Sequence, residues 1–391
     1  MRSEQVRAEK KTIHRLRTED GMVRGKAEVQ GEIHRYFSEL YKAAPLADLE
    51  NPECKEFLDS VKHKQLKGPE YDMLNEPITE LEIEEALKRA PKGKSPGIDS
   101  LSNEMLQKFW PELKGAFMAA LNESFKTGLL TTSQRKSLVT LLPKGDPESD
   151  KLNNFRGISL LCCDFKLISS VLTNRMKRVI GNLIGEEQTG FIKGRQISEN
   201  ICMVRDIMEY TEKEGIEGYL AIADIAKAFD KTSFQYTEAV FKAFNFPPNF
   251  CRWMKILRTD TEKQILNNGW CTKTIKVGRS TPQGSPDSPL VFILLLETFA
   301  AAIKNDPSIR GIKVQPENIE FKNSHFCDDS SFLLADKASF QRVFERLETF
   351  GKYSGLTLNR QKTVARGIGT LKDITEQIAG ISVKPQPVKT L

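Results

Sequence analysis

Apolar residues recur along the chain at two spacings, which predict a mixture of helices and strands. Near the N-terminus an i, i+3, i+4, i+7, i+8 stripe is formed by Ile33, Tyr36, Phe37, Leu40 and Tyr41. We therefore expect residues 1–45 to be helical. Prolines interrupt residues 42–76, which we interpret as a loose connector with one short helix.

Capping signals define two further helices. Thr79 and Glu82 form a capping box ahead of an apolar stripe that ends at Pro91. A helix over about 112–127 ends at Gly128, a residue type suited to the left-handed position after a helix. The other predicted helices span 164–181, 234–246, 289–304 and 337–353.

Short apolar runs bounded by turn residues predict the strands. Residues 137–142 and 219–224 are two such runs, and residues 321–335 are predicted as two strands that meet at Asp328-Asp329. Asn268-Gly269 is a hairpin signal, and a strand pair is expected near 356–368. Because strands and helices alternate without regular βαβ spacing, we expect an α+β fold rather than a doubly wound sheet.

Three acidic residues lie beside these apolar strands: Asp224, Asp328 and Asp329. A carboxylate beside a core strand loses solvation unless a positive charge compensates it, and none of the three has an adjacent Lys or Arg. Converging carboxylates suit divalent metal, and a metal pair would clamp the oxygens of an in-line phosphoryl transfer. The alternative for Asp328-Asp329 is an acid pair at a hairpin turn. Asp230 and Asp336 are interpreted as caps.

Composition and charge narrow the class of protein. The chain has 391 residues, of which 39% are hydrophobic and 28% charged, so it is neither disordered nor a coiled coil. Its seven cysteines include no C-x-x-C pair, so we expect reduced thiols without zinc or disulfides. The longest apolar run is too short to cross a bilayer. Residues 1–4 open no export signal, so an intracellular protein, nuclear or cytoplasmic, is expected.

The net charge of +6 favours a polyanionic partner only weakly, but one basic stretch is more informative. Six basic residues bracket a region with few acids: Lys166, Arg175, Lys177, Arg178, Lys193 and Arg195. Such a stretch can neutralise nucleic-acid phosphates, and the alternative is a solvated helix face.

Several other residues suit nucleotide chemistry. The turn from Thr281 to Pro286 holds Gly284, where a base or sugar could approach the backbone, and Gln283, which could hydrogen-bond a nucleotide. Lys144 and Arg156 could hold a triphosphate, one as a point charge and the other as a bidentate fork.

Seven ordered segments carry a resemblance to a known family. They are Lys94–Asp99, Asn154–Leu161, Gln188–Gln196, Asp224–Asp230, Pro282–Pro289, Phe326–Asp329, and Gly355–Asn359 with Lys362. The chain resembles the reverse transcriptase domain of LINE-type (non-LTR) retrotransposons and, more distantly, group II intron reverse transcriptases. The resemblance runs from about residue 28 to the C-terminus.

The resemblance implies roles for the acids and their neighbours. Asp224 and Asp328 match the aspartates that bind Mg²⁺, of which two ions are expected, with Mn²⁺ as a substitute. Asp329 matches the third acid that supports the metal site. The carbonyl of Ile225 adds a metal ligand in this scheme.

Other site residues follow from the same resemblance. Phe229 matches the bulky residue that blocks a ribose 2′-OH, for which the alternative is a core Phe. Gln283 lies beside the nucleotide sugar and Gly284 near template or primer. Lys144 and Arg156 match the pair that grips the triphosphate. Lys362 matches the lysine that protonates the leaving pyrophosphate.

The implied fold is a right hand whose palm is an antiparallel sheet backed by helices. We divide the chain into a helical N-terminal extension (1–75), a fingers-like region (76–215) and a palm with interleaved fingers segments (216–391). No thumb and no endonuclease are recognised, so we expect a fragment of a longer element.

The sequence departs from the family pattern at several positions. Cys327 stands where Ala is usual, and Gly157 where Pro is usual. Ile225 and Ala226 replace Phe and an acid. Asp287 replaces an apolar residue, and an extra carboxylate there could disturb primer or nucleotide contacts.

The leading hypothesis is an RNA-directed DNA polymerase that uses an RNA template, a DNA primer and deoxynucleoside triphosphates. A second hypothesis is a catalytically inactive nucleic-acid-binding relic or maturase-like module. An RNA-dependent RNA polymerase is a third, against which Phe229 weighs. Other domains of a longer polyprotein are expected partners, and a membrane is not.

Overall fold

Two β-sheets and the helices packed around them build the protein. The computed structural model describes residues 13–45, 47–145 and 149–385. The helices in the first half are α1 (Lys26–Tyr41), α2 (Pro52–Asp59), α3 (Gly68–Asn75), α4 (Glu80–Arg89), α5 (Asn103–Lys108), α6 (Trp110–Thr127) and α7 (Cys163–Leu183). Those in the second half are α8 (Ile197–Glu214), α9 (Ala228–Lys231), α10 (Phe234–Ala243), α11 (Pro248–Ile256), α12 (Ser288–Asn305) and α13 (Lys337–Ser354).

The strands follow the same order along the chain. Strands before residue 280 are β1 (Arg15–Thr18), β2 (Gly21–Arg24), β3 (Lys136–Pro143), β4 (Phe155–Leu160), β5 (Gly218–Asp224), β6 (Glu262–Asn267), β7 (Trp270–Cys271) and β8 (Ile275–Lys276). Later strands are β9 (Ile312–Val314), β10 (Ile319–Phe321), β11 (Asn323–Phe326), β12 (Asp329–Leu334), β13 (Val364–Ile368), β14 (Glu376–Ile378) and β15 (Ile381–Val383). Short 3₁₀ turns occur at Lys62–Lys64, Leu152–Asn154 and Gly369–Leu371.

The six-stranded sheet has the order β11-β12-β5-β13-β15-β14, and all its pairs are antiparallel except β13 with β15. The five-stranded sheet has the order β4-β3-β6-β7, with β8 also on β6. In that sheet β3 and β6 are parallel. Hairpins β1–β2 and β9–β10 stand apart. The α+β expectation is therefore confirmed.

Helix α12 lies in the centre of the core. Its side chains are buried on every face, from Leu290 to Ile303, which explains why it lacks a polar stripe. Within the described ranges it is the one helix long and apolar enough to cross a membrane, and 83% of it is buried inside the protein. Burial on that scale is typical of a core helix.

Local signals placed several elements correctly. The capping box at Thr79 and Glu82 is present at the start of α4, and Gly128 takes the left-handed conformation after α6. Asn268 and Gly269 both have positive φ between β6 and β7, as a two-residue hairpin turn requires. The predicted strands at 137–142 and 219–224 are β3 and β5.

Other local predictions were wrong. Residues 15–24 form the β1–β2 hairpin rather than helix, while residues 1–12 lie outside the described residues. The connector 42–76 holds two α-helices instead of one. Helix α8 was missed because its buried stripe, Asn200, Val204, Ile207 and Thr211, is half polar. Near 356–368 only β13 is a strand.

Candidate active site

The three acids predicted from the sequence meet where two internal strands of the six-stranded sheet end and begin, a place that we call the acidic edge. Asp224 is the last residue of β5, and Asp329, the first of β12, lies directly opposite it in the antiparallel register. Asp328 precedes Asp329 in the turn that joins β11 to β12. Directly opposed residues have Cβ atoms about 5 Å apart. The strand pairing therefore brings together carboxylates that are over a hundred positions apart in sequence.

Gln188 holds the turn that carries Asp328 through hydrogen bonds to the backbone of Cys327. Cys327 has a φ of +56°, a strained conformation for a residue with a side chain. The buried Gln188 accepts a hydrogen bond from the Cys327 amide at 2.9 Å and donates one to the Cys327 carbonyl at 3.3 Å. Both backbone groups of Cys327 are thus fixed, and the position of Asp328 follows from them.

Asp224 is held by the segment before β13. The Asn359 amide nitrogen donates to the Asp224 carbonyl at 2.8 Å, and the Asn359 side chain donates to Asp224 Oδ2 at 2.8 Å. The Asn359 side chain does not bind Oδ1, the other carboxylate oxygen of Asp224. The contact orients the Asp224 carboxylate without neutralising its charge.

The electrostatics of the edge follow from this crowding. Burial and the charges of Asp328 and Asp224 raise the pKa of Asp329, and Lys362 opposes them. The ion pairs among the described residues include none of the three acids. Negative charge that no ion pair neutralises favours a bound cation.

Three basic side chains lie near the same edge. Burial lowers the pKa of Lys144, and so do the nearby charges of Lys362 and Arg156, while Asp230 and Asp224 oppose them. Lys144 follows β3, and Arg156 on the neighbouring β4 pairs in register with Leu142. Lys144 thus lies within electrostatic reach of Arg156, Lys362 and Asp224, an arrangement suited to a polyphosphate.

Phe229 lies five residues after Asp224 on the short helix α9. Its ring stacks on Phe292 of α12 with centroids 4.9 Å apart, and its carbonyl accepts a hydrogen bond from the Thr281 amide at 2.7 Å. The side chain is half-buried. The ring and the backbone carbonyl of Phe229 are therefore both fixed. This holds whether the side chain excludes a ribose 2′-OH or only packs in the core.

The segment with Gln283 and Gly284 packs against β4. The Ser159 amide donates to the Gln283 carbonyl at 2.8 Å. Gly284 has a φ of +127°, and a Cβ there would stand 2.4 Å from the Ser159 carbonyl oxygen. Glycine is required at this position by the close approach to β4 as well as by φ.

The prediction for Asp287 was wrong. Its side chain is 2% exposed, and Arg258 donates to Oδ2 at 2.7 Å while Ser169 donates to Oδ1 at 2.8 Å. Burial alone would raise the pKa of Asp287, but the Arg258 charge and the serine hydrogen bonds outweigh it and hold the pKa below its usual value. A carboxylate so enclosed cannot disturb a bound nucleotide.

The two acids interpreted as caps differ. Asp336 caps α13 by accepting a hydrogen bond from the Ser339 amide at 2.8 Å. Asp230 is not a cap, because it lies inside α9 and its carboxylate accepts from the buried Tyr41 hydroxyl at 3.3 Å. Its sequence position at the end of an apolar run did not reveal that the run is enclosed by α1.

The basic stretch divides into surface and interior residues. Lys177, Arg178 and Lys193 are exposed, and Lys166 is half-buried. Arg175 is buried and pairs with Glu82 at 2.7 Å, so the prediction of a phosphate contact was wrong for this residue. Arg195 was also assigned wrongly, because its guanidinium donates to carbonyls of the α7 C-terminus and the loop after it, at Ile184, Gly185 and Gln188.

The three acids offer oxygen donors for a metal. Another group of metal-ligating side chains has its ligand atoms closer together. Among the described residues, three metal-ligating side chains whose ligand atoms all lie within 4.8 Å of one another occur at Asp99, Cys162 and Asp164. The Cys162 thiol is buried, which raises its pKa to about 12, and it donates to the Ser133 carbonyl at 3.3 Å. All seven cysteines are free, as expected.

Two residues that position the site were not assigned a role from the sequence. Gln188 and Asn359 stood inside segments that carried the family resemblance, and each has polar or charged residues beside it in sequence. A buried amide needs several partners, but nothing in the local sequence marked either amide as buried. The sequence also could not show which groups the amides would bind.

An acidic sheet edge that faces three cations and a glycine-containing turn is typical of a nucleotide polymerase. The profile of the family described as reverse transcriptase (RNA-dependent DNA polymerase) matches residues 142–389, and the chain belongs to this family. The family has the right-hand polymerase fold.

Known proteins from transposable elements are similar over most of the chain. An uncharacterized 149 kDa protein of transposon TX1 from Xenopus laevis is 29% identical over 94% of this chain. The Pol polyprotein of the type-2 element R2DM of Drosophila melanogaster is 23% identical over 74%. A probable RNA-directed DNA polymerase from transposon BS of the same species is 25% identical over 79%. The matches cover 28%, 26% and 34% of these relatives, so the chain spans about a third of their length or less.

Proposed function

We propose that the chain is an RNA-directed DNA polymerase of a non-LTR retrotransposon. The observation that carries this proposal is the register that sets Asp224 opposite Asp329, with Asp328 in the adjoining turn. Family membership supports the same reaction class. The names of the transposon relatives support the type of element.

In this proposal the six-stranded sheet is the palm and the five-stranded sheet belongs to the fingers. The fingers sheet combines β3 and β4 with β6 to β8, so a fingers segment is interleaved within the palm region. The earlier division at residues 75 and 215 is kept as part of the proposal. The N-terminal extension then includes α1, which packs against β6 and β8 of the five-stranded sheet and against α9.

Asp224, Asp328 and the Ile225 carbonyl would hold Mg²⁺, and Asp329 would support the site. When bound, the metal supplies Lewis-acid stabilisation of negative charge on the reacting phosphate. The fit rests on oxygen donors without a basic partner and on the crowding that raises the pKa of Asp329. Oxygen ligands of this kind are those that Mg²⁺ prefers.

The reaction joins a primer to a nucleotide. The primer 3′-hydroxyl oxygen bonds to the α-phosphorus as the bond from that phosphorus to the pyrophosphate oxygen breaks, and the hydroxyl proton is released. Lys144 and Arg156 hold the triphosphate, and Lys362 donates a proton to the leaving pyrophosphate. Positioning and charge neutralisation provide most of the rate enhancement in such a transfer.

Substrate selection and template binding complete the proposal. Phe229 excludes a ribose 2′-OH, while Gln283 and Gly284 line the nucleotide and primer. The exposed basic residues Lys177, Arg178 and Lys193 neutralise template and primer phosphates. Affinity for the hybrid should therefore fall as salt rises.

The test is extension of an oligo(dT) primer on poly(rA) with Mg²⁺ and dTTP. We expect wild-type protein to extend the primer and the Asp328→Ala variant to lose about 10⁴-fold or more, because metal-held charge is worth several kcal/mol. Asp206→Ala, which removes an exposed acid on α8, is the matched control and should extend normally.

A gel shift on the same hybrid separates the two hypotheses. Binding with no extension by wild-type protein would favour the inactive relic. Near-normal extension by the Asp328→Ala variant would contradict the assigned site.

A further inference from the structure

The buried residue Lys263, which lies beside the segment from Ser280 to Gly284, has no role in the function proposed above. Lys263 lies on β6, and only 3% of it is exposed. Its ammonium nitrogen donates to the Ser280 hydroxyl at 3.1 Å and lies 3.8 Å from the centroid of the Tyr41 ring. A lysine this deeply buried is costly unless its surroundings favour the charge.

The surroundings include one carboxylate, Asp230. Burial lowers the pKa of Lys263 to about 8, and the Asp230 charge acts in the opposite direction. Tyr41 joins the two, because its ring lies against the ammonium and its hydroxyl donates to Asp230 at 3.3 Å. The Lys263 side chain on β6 is therefore linked through Tyr41 to Asp230 of α9, the short helix that carries Phe229.

Ser280 begins the connection that fixes Phe229. The next residue, Thr281, donates its amide to the Phe229 carbonyl at 2.7 Å. The Thr281 hydroxyl donates to the Thr232 hydroxyl at 2.8 Å, which in turn donates to the Ala228 carbonyl at 3.1 Å. The chain of contacts from Lys263 reaches both ends of α9.

The same connection also leads to the nucleotide-lining residues. Gln283 and Gly284 follow Thr281 after one proline, and the Ser159 amide donates to the Gln283 carbonyl. The segment from Ser280 to Gly284 is thus held by Lys263 at Ser280 and by β4 at Gln283. Arg279, just before it, is also fixed, because it pairs with Ser233 and donates to the Leu40 carbonyl at 2.8 Å. Loss of the Lys263 contact therefore loosens Ser280 and Thr281 locally and does not free the whole segment.

We infer that Lys263 is a positioning residue for sugar selection: through Ser280 and Thr281 it holds Phe229 at the depth that excludes a ribose 2′-OH. The inference rests on the proposed polymerase function. Lys263 touches no reacting atom, so its effect is on placement. Errors of about 1 Å in placement change rates by up to about 100-fold.

The test compares dTTP with UTP as substrates for the same primer and template. We expect Lys263→Met to lower the ratio of kcat/KM for dTTP to that for UTP about 10-fold. Lys276→Met, which removes an exposed lysine on β8 of the same sheet, should leave the ratio unchanged. A purely structural role for Lys263 would lower both rates together and leave the ratio as in wild-type protein, which would overturn the inference.

A second variant guards against misfolding. Ser280→Ala keeps Lys263 and removes the hydroxyl that it binds, and we expect the ratio to fall in the same direction by a smaller factor. If Lys263→Met does not fold, an unchanged ratio in Ser280→Ala overturns the inference. Wild-type protein that extends with neither nucleotide would overturn the proposed function and the inference together, whereas selective wild-type protein with equally selective variants overturns the inference alone.

Discussion

The acids at the acidic edge of the six-stranded sheet and the acids in the interior share a residue type and differ in their partners. Asp224, Asp328 and Asp329 are partly exposed and outside the described ion pairs. The interior acids each have a basic partner at 2.7 Å: Asp287 with Arg258, Glu297 with Lys64, and Asp306 with Arg346. Asp224 of the first group and Glu297 of the second both follow an apolar run, so the neighbouring residues do not separate the two groups.

The comparison teaches that a direct ion pair formed in the folded chain separates a structural acid from a site acid, whereas the residues beside it in sequence do not. An interior pair is neutral overall, and removing one member leaves a buried charge. An edge acid without a partner loses little packing when it is removed. Substitutions in the interior should therefore cost stability, and substitutions at the edge should cost activity.

The largest expected effect on stability follows from Asp287→Ala. This variant leaves Arg258 buried and unpaired, and we expect the free energy of unfolding to fall by about 3–5 kcal/mol. Urea denaturation measures the loss. Asp328→Ala, examined in parallel, should stay within about 1 kcal/mol of wild type.

The double variant Asp287→Leu with Arg258→Met sharpens this prediction. Replacing both members of a buried pair by apolar residues restores much of the stability lost by removing one. If the double variant is as unstable as Asp287→Ala, the unpaired charge is not the cause. If Asp328→Ala is as unstable as Asp287→Ala, the distinction between the two groups fails.

Phe229→Ala tests a residue that belongs to both regions. Its ring stacks on core Phe292, and Asp224 of the acidic edge lies five residues before it in sequence. We expect selectivity for deoxynucleotides over ribonucleotides to fall about 10-fold to 100-fold. A competition assay between dGTP and GTP measures it. Unchanged selectivity together with a loss of stability would place Phe229 with the core.

Acid sensitivity is the smallest expected effect. Arg258 and the serines hold the pKa of Asp287 below its value in the unfolded chain. The resulting stabilisation is present above the unfolded pKa and is lost as pH falls through the folded pKa. Wild-type protein should thus lose stability on acidification more steeply than Asp287→Asn, which pH-dependent urea midpoints would show. If the urea midpoints of the two proteins fall in parallel with pH, Asp287 is not the source of this acid sensitivity.

Much of the local structure was predictable because its causes are local. The capping box at Thr79, the left-handed Gly128 and the Asn268-Gly269 turn depend on residues within a few positions of each other. Helix α8 was not predictable from periodicity, because Asn200 and Thr211 occupy buried positions that only tertiary hydrogen bonds and packing make acceptable. Arg175 and Arg195 looked like surface cations because their partners, Glu82 and the carbonyls near the end of α7, become neighbours only after folding.

The sequence by itself determined the family, the order of the motifs and which acids to examine, since these depend on residue identity along one dimension. The tertiary structure alone decided which carboxylates stay outside an ion pair, which arginines turn inward, and how Gln188, Asn359 and Lys263 fix their neighbours. The physical reason is that burial and charge compensation depend on distances between residues far apart in the chain, and the strand register sets those distances.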